Sequence, residues 1–259
     1  MPCVCSPPAL GPTPRKPMRE LVWPVERTHH ANADSLMPRD GALTREQLIT
    51  SGRHLFARQG MFATSLRQVV VAAGQRNPSA LHYHFGGRDG LVAAIIDLHN
   101  SRIEEQRAVM LEALGDHPAL VDLVEAVVLP LAVLLDEPEG REFLAIISQL
   151  TDLFDRWDES ERATPPQALR AFRLIENELP DGLTPGLRRE RITRFLELVS
   201  EALGSRARQV DSDRPPTLPT DDFVGNLVQM AVGALDASPQ PGANRTGSDW
   251  RPRTNDEWL

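Results

Sequence analysis

Cysteine, aromatic side chains and long apolar runs are all scarce in this 259-residue sequence. The only cysteines are Cys3 and Cys5. Thiols this close cannot staple a fold, and a Cys-x-Cys pair supplies too few ligands for a structural zinc site. A reducing, cytoplasmic setting is the simplest fit. Aromatic residues are 5% and hydrophobic residues 41% of the chain. No apolar run approaches the roughly 18 residues of a membrane span, and no continuous apolar stretch near the start resembles a secretory signal. Strand-like alternation is missing, so no phosphate loop follows a strand. A zinc-binding His-Glu-x-x-His helix, a Gly-x-Ser-x-Gly elbow and a Cys–His pair are missing too. The acidic runs DEPEGRE and DRWDESE read as solvated turns. These absences argue against an enzyme, and no metal or cofactor is expected.

What the chain does have is concentrated in residues 44–85, TREQLITSGRHLFARQGMFATSLRQVVVAAGQRNPSALHYHF. Thr44 with Gln47 reads as a capping box, and Leu48, Gly52, Leu55 and Phe56 form one stripe of a first helix ended by Gly60. Ser65 with Gln68 repeats the capping pattern. Leu66, Val69, Val70 and Ala73 then follow the i, i+3, i+4, i+7 spacing of a second helix that stops at Gly74. Asn77 is placed to cap a third helix with Pro78 in its first turn. On that helix Leu81 and Phe85 should face inward, leaving Ser79, His82 and Tyr83 outside. Two short helices joined by a tight turn make a helix-turn-helix, whose second helix enters a DNA major groove.

Charge agrees with that reading. Residues 41–90 hold six arginines (45, 53, 58, 67, 76 and 88) against two acids, Glu46 and Asp89, while the whole chain carries −8. A cationic island on an acidic protein is an electrostatic footprint for phosphate. The segment resembles the DNA-binding domain of the tetracycline-repressor-like (TetR) family of bacterial transcription regulators. The resemblance lies in TREQLITSGRHLFARQG, FATSLRQVVVAAG and SALHYHFGGRDGLVAAII, about fifty residues in all. One more residue than is usual in the family lies between Gly74 and Phe85, so the family's tyrosine falls on His82 and its histidine on Tyr83.

Candidate contacts to double-stranded DNA follow. Thr64 and Ser65 stand at a helix start, where amides bind phosphate. Arg67 is a candidate backbone contact. Arg76 and Asn77 can read guanine and adenine edges. Ser79, His82 and Tyr83 form the outer face of the recognition helix. Arg88 opens a fourth helix, where a cation opposes the helix dipole, and phosphate is the expected partner. The alternative is a helical protein-interaction scaffold that has lost sequence-specific DNA binding.

The rest reads as all-α: an N-terminal three-helix DNA-binding domain (41–87) followed by a helical ligand-binding and dimerisation domain (88–237). Residues 1–40, with eight prolines, and 238–259 lack periodicity and read as disordered. Met37, or Met18, is a candidate translation start. The patterns predict helices over 88–114, from 116 to 135 and over 141–157, with DEPEG (136–140) a turn. Further helices are predicted over 164–179, from Thr184 through Leu203, and from Thr220. The apolar face of the last helix is read as Phe223, Leu227, Met230, Ala231 and Ala234. A small, hydrophobic or neutral effector is expected among Leu91, Ile95, His99, Ile103, Phe143, Ile147, Leu150, Phe154 and Phe172. The resemblance implies a homodimer through the last two helices, with Phe195, Val199, Phe223, Leu227, Met230 and Ala234 at the interface.

Overall fold

In the computed structural model the described residues are 39–77, 79–150, 164–213 and 216–239. Cys3, Cys5, Met18, Met37, Pro78 and Phe154 lie outside them, as do nearly all of the two terminal extensions. Among the described residues every regular element is helical, as the patterning predicts. They fall within one compact unit, Leu36–Leu259.

The first helix, α1 (Arg39–Gln59), starts ahead of Thr44. Thr44 lies inside it and is not its cap, because Gly41, Ala42 and Leu43 carry the helix upstream. Gly60, at φ +94°, ends it in a conformation that favours glycine. The second helix, α2 (Leu66–Ala72), and the third, α3 (Ala80–Phe85), are short. The long α4 (Arg88–Ala113) follows. Gly52 is where α1 meets it: a Cβ there would stand 2.9 Å from Leu91 Cδ2. Leu48, Phe56, Val69, Val70 and Leu81 close the head's core together with Leu91 and Ile95 of α4. Leu91 and Ile95 are therefore head-core residues, not part of an effector pocket in the body, because the first two turns of α4 lie against α1.

The body consists of α5 (Leu120–Ala132), a 3₁₀ turn (Val133–Asp136), α6 (Pro138–Ile147), α7 (Pro166–Glu178), α8 (Pro185–Val210) and α9 (Thr220–Leu235). DEPEG is not simply a turn. Glu137 is extended and Pro138 occupies the first helical position of α6, where its missing N–H costs nothing. Thr184 caps α8 as the sequence indicates, its hydroxyl accepting from the Leu187 amide. On α9 the buried stripe is Val224, Leu227, Val228, Ala231 and Leu235. Leu227 and Ala231 are shared with the expected face, while Val224, Val228 and Leu235 take the places of Phe223, Met230 and Ala234, because α9 carries apolar residues on two adjacent stripes. No described helix is long and apolar enough to cross a membrane.

Candidate nucleic-acid interface

The turn between α2 and α3 is set by local hydrogen bonds. Ser65 Oγ accepts from the Gln68 amide, and Gln68 Oε1 accepts from the Ser65 amide at 2.7 Å, the reciprocal box read from the sequence. Asn77 lies two residues before Ser79, the cap of α3. Its Oδ1 accepts from the Ser79 amide at 2.9 Å and its carbonyl from the Ala80 amide, an Asx turn that feeds α3 two residues later than expected. Gln75 Nε2 donates to Gln47 Oε1 at 2.9 Å, tying the turn to α1.

On α3, Leu81 is buried and Phe85 half-buried, with the Arg45 guanidinium 5.5 Å from the Phe85 ring centroid. Ser79, His82 and Tyr83 are exposed, and Tyr83 keeps 79% of its surface open to solvent. His84 stacks edge-on against Tyr83, ring centroids 5.1 Å apart. Burial, and then the Arg45 charge, push the His84 pKa down. The formal charge of the face comes from Arg67 and Arg76, both exposed.

Two expected phosphate contacts are placed otherwise. Thr64 is completely buried; its hydroxyl donates to the Gly60 carbonyl at 2.9 Å and the Leu55 carbonyl at 3.3 Å, locking the α1–α2 loop. Arg88 turns inward. Its guanidinium donates to the carbonyls of Met61 and, at 2.7 Å, Thr64, and lies 5.5 Å from the Phe56 ring centroid. The cation at the start of α4 thus has a structural partner: loop carbonyls that α1 and α2 leave unmatched. Its partners lie 24 and 27 residues away, beyond the reach of local pattern.

The effector candidates scatter. Ile103, Phe143 and Phe172 are buried. Ile147 is half-buried, and Leu150 packs against the head's core. The His99 ring lies 4.7 Å from that of Phe143, with Nε2 buried and unpartnered. Its pKa is lowered to about 4, by burial first and then by Arg53 and Arg102 against the opposing Glu137 and Glu139. Two clefts combine apolar lining with charged side chains at their walls. One of about 410 Å³ lies between α1 and the start of α6, beside Thr50, Arg53, His54, Glu139 and Glu142. The other, about 760 Å³, lies between α4 and the start of α7, beside Asp97, Asn100, Glu104 and Glu105. None of the expected effector residues lines either cleft.

Of the expected interface residues, Phe195, Val199 and Leu227 are buried within the protomer. They pack the body's own core, because the inner faces of α8 and α9 turn toward it. Phe223 is half-buried with the Arg206 guanidinium 5.0 Å from its ring centroid. Met230 and Ala234 are exposed.

Comparison with known proteins follows the same division. No curated protein matches the chain. Among solved structures, NalD from Pseudomonas aeruginosa, the secondary repressor of the MexAB-OprM multidrug efflux pump, aligns at 19% identity over 77% of this chain and 99% of its own, with a TM-score of 0.49. A bacterial regulatory protein of the tetR family from Rhodococcus RHA1 aligns at 13% identity over 76% and 98%, TM-score 0.44. The fatty acid degradation regulator FadR from Bacillus halodurans aligns at 14% over 74% and 96%, TM-score 0.43. Residues 48–95 match the family model of bacterial regulatory proteins, tetR family. Those residues run from the core of α1 through the turn and α3 into α4, and over them the chain is similar to the TetR family.

Proposed function

We propose that this chain is a transcriptional regulator that binds a two-fold operator as a homodimer, represses from it, and is released by a small-molecule effector. The observation that carries the DNA reading is the open surface of Arg76, Asn77, Ser79, His82 and Tyr83, presented on a turn and short helix whose opposite side is pinned by Leu81. Arg76 and Asn77 have the donors to read guanine and adenine edges, Tyr83 and Ser79 can reach bases or backbone, and Arg67 can meet phosphate.

One recognition helix makes few base contacts, and two-fold pairing doubles them. The outer stripe of α9 supports a dimer better than the inner faces of α8 and α9 do. Gly225, Asn226, Gln229, Met230, Gly233 and Ala234 are all exposed, and a Cβ at Gly225 or Gly233 would meet nothing within 4 Å. Exposed glycines inside a helix cost about 1 kcal/mol each relative to alanine, and close approach of a partner helix would offset that. Effector release requires different affinities for two states of the body.

The test is retention of the DNA upstream of the chain's own gene by the full-length protein. Sequence-specific retention that Arg76→Ala or Tyr83→Ala abolishes supports the regulator. Uniform or absent retention points to the scaffold alternative. Sedimentation of Met230→Glu should show monomer where the parent chain is dimeric; an unaltered dimer would exclude the outer α9 stripe.

A further inference from the structure

The larger cleft, between α4 and the start of α7, is lined by charge of one sign. Its α4 wall presents Asp97, Glu104 and Glu105, and among the described residues no lysine, arginine or histidine lines it. Glu104 is already engaged. Its carboxylate accepts from the Gln167 amide at 2.6 Å, the Ala168 amide at 3.2 Å and the Arg107 guanidinium, so it caps α7 from α4. Asp97 and Glu105 differ from it: both are exposed, and neither has an ion pair among the described residues. About two turns of α4 separate them, roughly 12 Å along the helix. Ala93, Ile96 and Ala108 of α4, with Pro165 and Pro166 at the start of α7, supply the apolar surface of the cleft. Gln167 also lines it and keeps a buried Oε1 without a hydrogen-bond partner.

We propose that this cleft binds a linear aliphatic amine with two or more ammonium groups, one held by Asp97 and another by Glu105. Its volume, about 760 Å³, is that of a small-molecule site. Two uncompensated carboxylates repel an anion, and a neutral apolar body would cover them without giving them a partner. An ammonium group at each carboxylate makes a charge-assisted hydrogen bond instead. The alkyl segment covers Ile96 and the two prolines, and an N–H along its length serves the orphan Gln167 Oε1. This class differs from the neutral or hydrophobic effector that the sequence suggests, for a physical reason. The apolar stripe of α4, with Leu91, Ile95 and Ile103, is buried, and the neighbouring stripe that carries the acids lines the cleft. As the class of an effector the amine rests on the proposed release from DNA; as the occupant of the cleft it does not.

The test titrates spermidine into the full chain without DNA, by calorimetry at about 0.15 M salt, where long-range attraction to an acidic protein is screened. Spermidine should bind saturably. The double variant Asp97→Asn, Glu105→Gln should weaken binding about tenfold, the effect of losing two part-exposed ion pairs. The control Glu178→Gln, Asp181→Asn removes the same charge from exposed positions at and beyond the far end of α7, and should bind as the parent does. Octanoate should not bind. Unsaturable binding, an affinity that survives in the first variant, an equal loss in the control, or comparable binding of octanoate would each overturn the amine site. A second arm reads release of a duplex retained by the parent. Spermidine should free it from the parent at a lower concentration than from the Asp97→Asn, Glu105→Gln variant. Equal release from both, with the binding difference intact, would leave the amine site standing and contradict the effector reading.

Discussion

The head and the body solve the problem of core formation differently. The body packs α5, α7, α8 and α9 around residues of its own, among them Leu123, Val124, Phe195, Leu203 and Val228. The head has one long helix and two of seven and six residues, lengths at which an isolated helix is not stable in water. Its cluster closes with Leu91, Val92, Ala94 and Ile95 from α4 and Ile146 from α6. A domain this small buries too little surface alone, so the contacts that stabilise the head are also those that connect it to the body.

The strongest way to break this comparison is Ile146→Ala. Emptying that site should cost about 2–5 kcal/mol, with exchange protection lost in α1 and α2 before α8 and α9. Uniform loss across the chain would mean that the head does not depend on α6 in particular. Next is pH. Because the folded chain binds a proton on His99 only near pH 4 while the unfolded chain does so near 6.5, stability should fall as pH drops from 6.5 toward 4. The loss is at most about 3 kcal/mol. His99→Leu should flatten urea-midpoint profiles in that window; parallel profiles would remove His99 from the account.

Arg88→Met follows, with an expected loss of about 1–3 kcal/mol from two carbonyls left without a charged donor. Its dependence of DNA affinity on salt should match the parent's, whereas a slope reduced by about one would return Arg88 to the phosphate backbone. Smallest is Ser65→Ala, about 1 kcal/mol from the lost cap, visible as a lower midpoint of thermal unfolding. An unchanged midpoint would mean the box contributes nothing to the head.

How much of this was legible follows from distance along the chain. The Ser65–Gln68 box, the Gly60 stop, the place of Gly52 on the inner stripe of α1 and the Thr184 start of α8 are local or periodic, and the sequence states them. Pro138 was ambiguous because the same residue suits a turn and the first position of a helix. Arg88 misled because a cation at a helix start has no local partner, and its carbonyls lie in another loop. Glu142 and Gln149 were invisible, since their partners stand 88 to 93 residues away. Phe195, Val199 and Leu227 show the limit of an apolar stripe: periodicity says that a face is covered, and only the three-dimensional packing says by what.

The most direct test of the DNA-reading claim is selection by the full-length protein from a randomised duplex library at fixed salt. Retained duplexes should converge on two related half-sites about 10 base pairs, or a multiple of that, apart, and Tyr83→Ala and Arg76→Ala should lose the enrichment. Retention with no convergent sequence, or convergence that both variants keep, would contradict the assignment of the Arg76–Tyr83 surface to the DNA groove.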